Sequence, residues 1–135
     1  MTRYEEAVAL AESQGIEVFI TDTATASVCD NGVRAIFLKP DKTMTLEEKY
    51  IELYHEFGHC SMRAFYDAGA PKWVINKCER RAYEWAIRKL VPFVDLKEML
   101  DDEDVTVYDM AERFSVTPNF ICLTVQVYRQ KGYGI

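Results

Sequence analysis

Both histidines of the chain fall in one pentapeptide, His55-Glu56-Phe57-Gly58-His59. The capping-box spacing of Thr45 and Glu48 predicts that a long helix begins ahead of it and runs to about Phe65. Residues i and i+4 share one helical face, so the two imidazoles can converge on one ion. Apolar residues fall on the opposite face, namely Leu46, Leu53, Phe57, Cys60 and Ala64. The pattern therefore predicts a helix that is anchored in a core and turns its histidines toward a cleft.

Zinc is the ion that this pair favours, because it binds neutral imidazole nitrogens and tolerates an open position for water. The ligand type alone leaves manganese, cobalt and nickel as alternatives. Glu56 lies beside the pair and can reach a water molecule there as a general base. Two histidines do not complete a catalytic zinc site, and the chain has no other histidine. The third protein ligand is therefore expected to be a carboxylate.

A second predicted helix, from about Trp73 to Leu90, offers that carboxylate. Glu79 is the only charged residue on its apolar stripe, and a buried carboxylate is costly unless it is paired or bound to a metal. Glu84 is the competing carboxylate, but its helical angle places it with the arginines of the far side. Alanines along the stripe would let the two helices approach closely. The sequence predicts Glu79 as the third ligand.

The part of the chain before the histidine helix predicts a first helix that ends at Gly15, followed by a small antiparallel sheet. The runs 16–20 and 33–38 are rich in strand-forming residues, and Asp30-Asn31-Gly32 favours a tight hairpin turn. We expect the run 33–38 to lie at a sheet edge. An extended substrate could then bind there by strand addition.

After an acidic segment at 95–104, the runs 108–114 and 118–128 predict two short helices that resemble a helix-turn-helix. The second carries no lysine or arginine before Arg129, so packing or docking explains the pair better than DNA recognition. No linker is rich enough in glycine, serine or proline to separate two domains. We expect one domain over residues 1–135, with a core at 1–104 and a helical subregion at 105–135.

Charge and cysteine usage limit the partners and the compartment. The chain has 16 basic and 22 acidic residues and a net charge of -6, which argues against direct nucleic-acid binding through a basic face. No apolar run has the length of a membrane span, and the first fifteen residues do not read as a secretory signal. The four cysteines form no CxxC pair. We expect reduced thiols in a cytoplasmic protein, with Cys60 and Cys78 as small buried hydrophobic residues.

Residues beyond the pentapeptide carry a resemblance to a known family. His55 to His59 (HEFGH), then Glu79-Arg80-Arg81-Ala82-Tyr83-Glu84-Trp85-Ala86 and Leu90-Val91-Pro92, are similar to the ImmA/IrrE metallopeptidases. The pattern of that family is HExxH, then ExxAxx(F/W)A leading to (L/I)xP. The resemblance covers about residues 33–131, including the segment 110–117, and is especially to short members from phages and mobile elements. Asn is common in the family where this chain has Tyr83.

The resemblance implies an α+β fold with a helix-rich, zincin-like core, and a zinc endopeptidase activity. His55, His59 and Glu79 would bind Zn²⁺, and Glu56 would be catalytic. The implied partner is a protein substrate, such as a helix-turn-helix repressor of the same phage or element, whose cleavage derepresses genes.

Several alternatives remain open from the sequence. The same fold could serve a non-catalytic antirepressor that sequesters its target, and a weaker third reading is a DNA-binding protein. Tyr54, Tyr66 and Tyr83 are all candidates for stabilising an oxyanion, and aromatic packing competes with that role for each of them.

Overall fold

The computed structural model describes residues 1–135 as six helices and a three-stranded sheet, which confirms the predicted α+β class. The elements in chain order are α1 (Arg3–Ser13), β1 (Ile16–Ile20), β2 (Ala26–Asp30), β3 (Val33–Leu38), α2 (Leu46–Ser61), α3 (Lys72–Leu90), α4 (Phe93–Leu100), α5 (Val107–Phe114) and α6 (Pro118–Gln130). None of the six helices has the length and apolar character needed to cross a bilayer. The chain forms two compact units, Met1–Ala86 and Ile87–Ile135; the single-domain organisation stays a prediction.

The sheet of the first unit is mixed, with strand order β1-β3-β2. β1 pairs with β3 in parallel, with Val18 opposite Ile36, and β2 pairs with β3 in antiparallel. Asn31 and Gly32 form the turn between β2 and β3 with φ of 50° and 80°, the left-handed geometry that a two-residue hairpin requires.

Three details of the predicted sheet are wrong. The sheet is mixed rather than antiparallel, because β1 pairs with β3 in parallel. The Thr/Ala/Ser-rich stretch contains β2, a strand that its composition does not reveal, so the hairpin joins β2 rather than β1 to β3. β3 is consequently the central strand. Both of its edges are already paired, so the run 33–38 cannot accept a substrate by strand addition.

The core of the first unit forms where α1 and α2 pack on one face of the sheet. Its buried members are Ala7, Ala11, Ile16, Ile36, Leu38, Leu53, Phe57 and Cys60. The last three belong to α2 and are completely buried, as the helical stripe predicts. Leu46 departs from the prediction, since it lies in the first turn and is 64% exposed. The packing of this stripe leaves the opposite side of α2 for His55.

Hydrogen bonds fix the start of α2, and a change of backbone conformation follows its end. At the start, the Thr45 hydroxyl accepts from the Glu48 amide and the Glu48 carboxylate accepts from the Thr45 amide, both at 3.1 Å. The helix ends at Ser61, before the predicted Phe65. Arg63 adopts a φ of 50°, which takes the backbone out of the right-handed helix.

The second unit contains the predicted helical pair, α5 and α6. Ser115 between them has a φ of 59°, and the Tyr128 hydroxyl donates to the Val91 carbonyl at 2.8 Å. The buried side of α6 consists of Phe120, Ile121, Thr124 and Tyr128. This stripe explains the spacing of apolar residues in α6 as packing within the unit.

Candidate metal centre

Three predicted ligands meet between α2 and α3. The ligating atoms of His55, His59 and Glu79 all lie within 4.8 Å of one another. Oε2 of Glu79 is 2.8 Å from Nε2 of His55 and 3.3 Å from Nε2 of His59. Side chains from the two helices therefore converge as predicted, and Glu79 is the carboxylate that faces the histidines. Glu84 is half-buried on α3 and lies outside this cluster.

The hydrogen bonds of the two histidines fit a bound cation. Nδ1 of His59 is 2.6 Å from the Ala64 carbonyl oxygen, so Nδ1 can donate its proton there and Nε2 is the nitrogen that would face a metal. Nε2 of His55 is buried and makes no well-aligned hydrogen bond, although Glu79 lies close to it. Lone pairs of nitrogen and carboxylate that face one another repel unless a proton or a cation lies between them. The donor set therefore suits a divalent metal such as zinc.

Glu79 also contacts Tyr66, whose hydroxyl donates to Oε1 at 2.6 Å. Partial burial alone would raise the pKa of Glu79, but the Tyr66 hydrogen bond and the nearby His59 and His55 outweigh burial and lower it. The same hydrogen bond, together with burial, raises the pKa of Tyr66 to about 12. At neutral pH, Glu79 is thus an anion and Tyr66 keeps its donating proton.

Glu56 is half-buried on α2, next to His55. Its negative charge contributes to the raised pKa of Tyr66, so its carboxylate lies within electrostatic range of the cluster. Glu56 is therefore the neighbour of His55 on α2 and interacts electrostatically with Tyr66. Its function as a general base stays a prediction.

The three tyrosines that compete for oxyanion stabilisation lie in different surroundings. Tyr54 packs among aromatic rings, with centroids 5.7 Å from Phe57 and 6.1 Å from Trp85, as a core residue does. Tyr83 places its ring 5.5 Å from the His55 ring in an edge contact. Tyr66 uses its hydroxyl on Glu79. Only Tyr66 and Tyr83 therefore border the ligands.

The two nearby cysteines differ in burial. Cys60 is completely buried, and burial raises the pKa of its thiol to about 12, in agreement with the prediction of a small hydrophobic residue. Cys78 is only half-buried, and its Sγ lies 3.7 Å from the Phe65 carbonyl oxygen. The prediction of burial is wrong for Cys78, which is only partly covered on α3.

Gly58 brings α2 into backbone contact with α3. A Cβ atom at this position would collide with the Ala82 carbonyl oxygen and would lie 3.0 Å from the Ala82 carbonyl carbon. Ala82 is itself completely buried, which confirms that a small residue on the α3 stripe permits the close approach. Because His59 follows Gly58 and Glu79 lies one turn before Ala82, this contact sets the distance between the ligands.

We predict that Gly58→Ala lowers the free energy of unfolding by about 1–3 kcal/mol, since the backbone of α3 must move to make room. The same movement should weaken zinc binding. Gly69→Ala is the matched control, because a Cβ there meets nothing within 4 Å. Urea denaturation and chelator competition on both variants provide the measurement. A Gly58→Ala variant that is as stable as Gly69→Ala would contradict the close approach.

Three supporting features were not predicted from the sequence as parts of the site. These are the Ala64 carbonyl on His59, the Tyr66 hydrogen bond to Glu79, and the contact of Gly58 with α3. A glycine inside the HEFGH pentapeptide was the available signal for the last of them, because glycine in a helix interior is unfavourable unless a neighbour needs the space. The other two depend on the path of the chain after α2.

A comparison with protein families agrees with this geometry. The family model described as peptidase M78, an IrrE N-terminal-like domain, matches residues 11–126. The match includes both ligand-bearing helices and extends into α6. It confirms the resemblance inferred from the motif residues. Among curated proteins, none matches the chain.

Proposed function

The chain belongs to the peptidase M78 family, and from this premise we propose that it is a zinc-dependent endopeptidase that cleaves one specific intracellular protein. The observation that carries the proposal is the convergence of His55, His59 and Glu79 within 4.8 Å. It is supported by the contact of His59 Nδ1 with a backbone carbonyl, which leaves Nε2 as the nitrogen that faces Glu79. A peptidase family implies a protein substrate.

In the proposed mechanism, His55 and His59 would hold zinc through Nε2, and Glu79 would hold it through a carboxylate oxygen. When bound, zinc supplies a Lewis acid that acidifies water and polarises a peptide carbonyl. Glu56 takes a proton from the attacking water while the oxygen of that water bonds to the carbonyl carbon. Glu56 then transfers that proton to the leaving amine nitrogen as the peptide C–N bond breaks.

We propose further that the substrate is a helix-turn-helix transcriptional repressor of the phage or mobile element that encodes the chain, and that cleavage takes place in the cytoplasm. Support comes from the similarity to short family members of such elements. The net charge of -6 and the lack of basic residues in α6 before Arg129 favour a protein partner over DNA. The element would then be derepressed by loss of intact repressor.

We expect the zinc-loaded chain to cut a repressor encoded beside its gene into two fragments of defined mass. The measurement is mass spectrometry of the repressor after incubation, with the metal-free chain as control. Fragments should appear only with the zinc-loaded chain. An intact repressor in a stable complex with the chain, formed with or without zinc, would contradict proteolysis and support the sequestering antirepressor instead.

A further inference from the structure

The residues that follow α2 return to the metal centre. The Ala64 carbonyl lies 2.6 Å from Nδ1 of His59, and two residues later the Tyr66 hydroxyl lies 2.6 Å from Oε1 of Glu79. The Tyr66 ring also makes an edge contact with His59, with centroids 6.3 Å apart. The short segment 64–66 therefore forms hydrogen bonds with His59 on α2 and with Glu79 on α3.

The two carboxylate oxygens of Glu79 have different partners. Oε1 accepts from Tyr66, whereas Oε2 faces Nε2 of both His55 and His59, at 2.8 and 3.3 Å. A carboxylate can bind a metal through one oxygen or through both. We propose that Tyr66 is a positioning residue that directs Glu79 to bind the metal through Oε2 alone. This inference rests on the zinc site of the proposed function.

Binding through one oxygen has a chemical consequence. A catalytic zinc site keeps a position open beside its three protein ligands, and a second oxygen from Glu79 would compete for that position. The Glu79 side chain is 37% exposed, so packing alone does not fix its rotation. The hydrogen bond from Tyr66 supplies the missing constraint, in the way that outer partners orient metal ligands elsewhere.

The test compares Tyr66→Phe with Tyr54→Phe in the full chain. Each change removes one hydroxyl and keeps the ring, but the Tyr54 hydroxyl interacts with Tyr50 rather than with Glu79. Zinc affinity is measured by competition with a chromophoric chelator. The visible absorption of the cobalt-substituted chain reports the coordination number. Thermal melting of the metal-free variants shows whether the fold is intact.

We expect Tyr66→Phe to weaken zinc binding by about 10- to 100-fold and to change the cobalt spectrum, while its metal-free melting temperature matches that of Tyr54→Phe. Tyr54→Phe should retain the affinity and spectrum of the unmodified chain. Equal affinities and spectra in the two variants would overturn the role of Tyr66 and leave the zinc site intact. An unmodified chain that binds no zinc would instead overturn the proposed function, and this inference with it.

Discussion

Glu56→Gln is expected to lower kcat for cleavage by about 10²- to 10⁴-fold, the usual contribution of a general base. Glutamine keeps the size and polarity of the side chain but cannot accept a proton from water at neutral pH. Because Glu56 is not one of the three clustered residues, zinc content and fold should not change. The measurement is single-turnover cleavage of the substrate, with zinc per chain determined on the same sample.

Glu52→Gln is the matched control for this prediction. Glu52 lies one turn before Glu56 on the same helix and is also half-buried, so the two changes remove the same charge from the same element. Cleavage by Glu52→Gln should stay close to that of the unmodified chain. Cleavage that survives Glu56→Gln, with zinc bound, would contradict the assigned general base.

The second large effect is expected from Glu79→Ala, which should weaken zinc binding by more than about 100-fold, since loss of a ligand exceeds the usual loss of an outer partner. The carboxylate is the only contribution of α3 to the cluster, and two histidines alone do not hold catalytic zinc. Metal analysis after dialysis against a weak chelator provides the measurement. Cleavage should be lost in parallel.

Glu84→Ala is the control for that result, because Glu84 is the other glutamate in the α3 motif and lies outside the cluster. The Glu84→Ala variant should keep about one zinc per chain. Zinc that is retained by Glu79→Ala and lost from Glu84→Ala would show that the wrong carboxylate has been assigned.

The two ligand-bearing helices could be predicted because their signals are local. The capping box at Thr45 and Glu48 is present with both hydrogen bonds, and the stripe that selected Glu79 includes the completely buried Ala82 and Ala86. Both signals depend on residues within one or two turns of a helix. Those turns determine which side chains can share a face, and this was sufficient to name all three residues of the cluster.

The sheet was harder to predict because strand pairing is not local. β2 (Ala26–Asp30) is a short edge strand with three exposed residues out of five, and its strand conformation depends on pairing with β3. The turn at Asn31 and Gly32 was recognised, but it does not specify which earlier strand enters it. Strand order, and with it the central place of β3, therefore required the structure.

The supporting contacts of the candidate metal centre could not be predicted from sequence patterns, because they too are not local. Tyr66 was one of three tyrosines near the motif, and its hydrogen bond to Glu79 forms in the segment after α2, which passes through the left-handed residue Arg63. The path of the chain after Ser61 therefore brings Tyr66 to Glu79.

The most direct test is anomalous diffraction at the zinc edge from crystals of the zinc-loaded chain. We expect one strong peak within bonding distance, about 2.0–2.2 Å, of Nε2 of His55, Nε2 of His59 and Oε2 of Glu79, with Oε1 still hydrogen-bonded to Tyr66. A peak bound by other residues, or no peak between these two helices, would contradict this expectation.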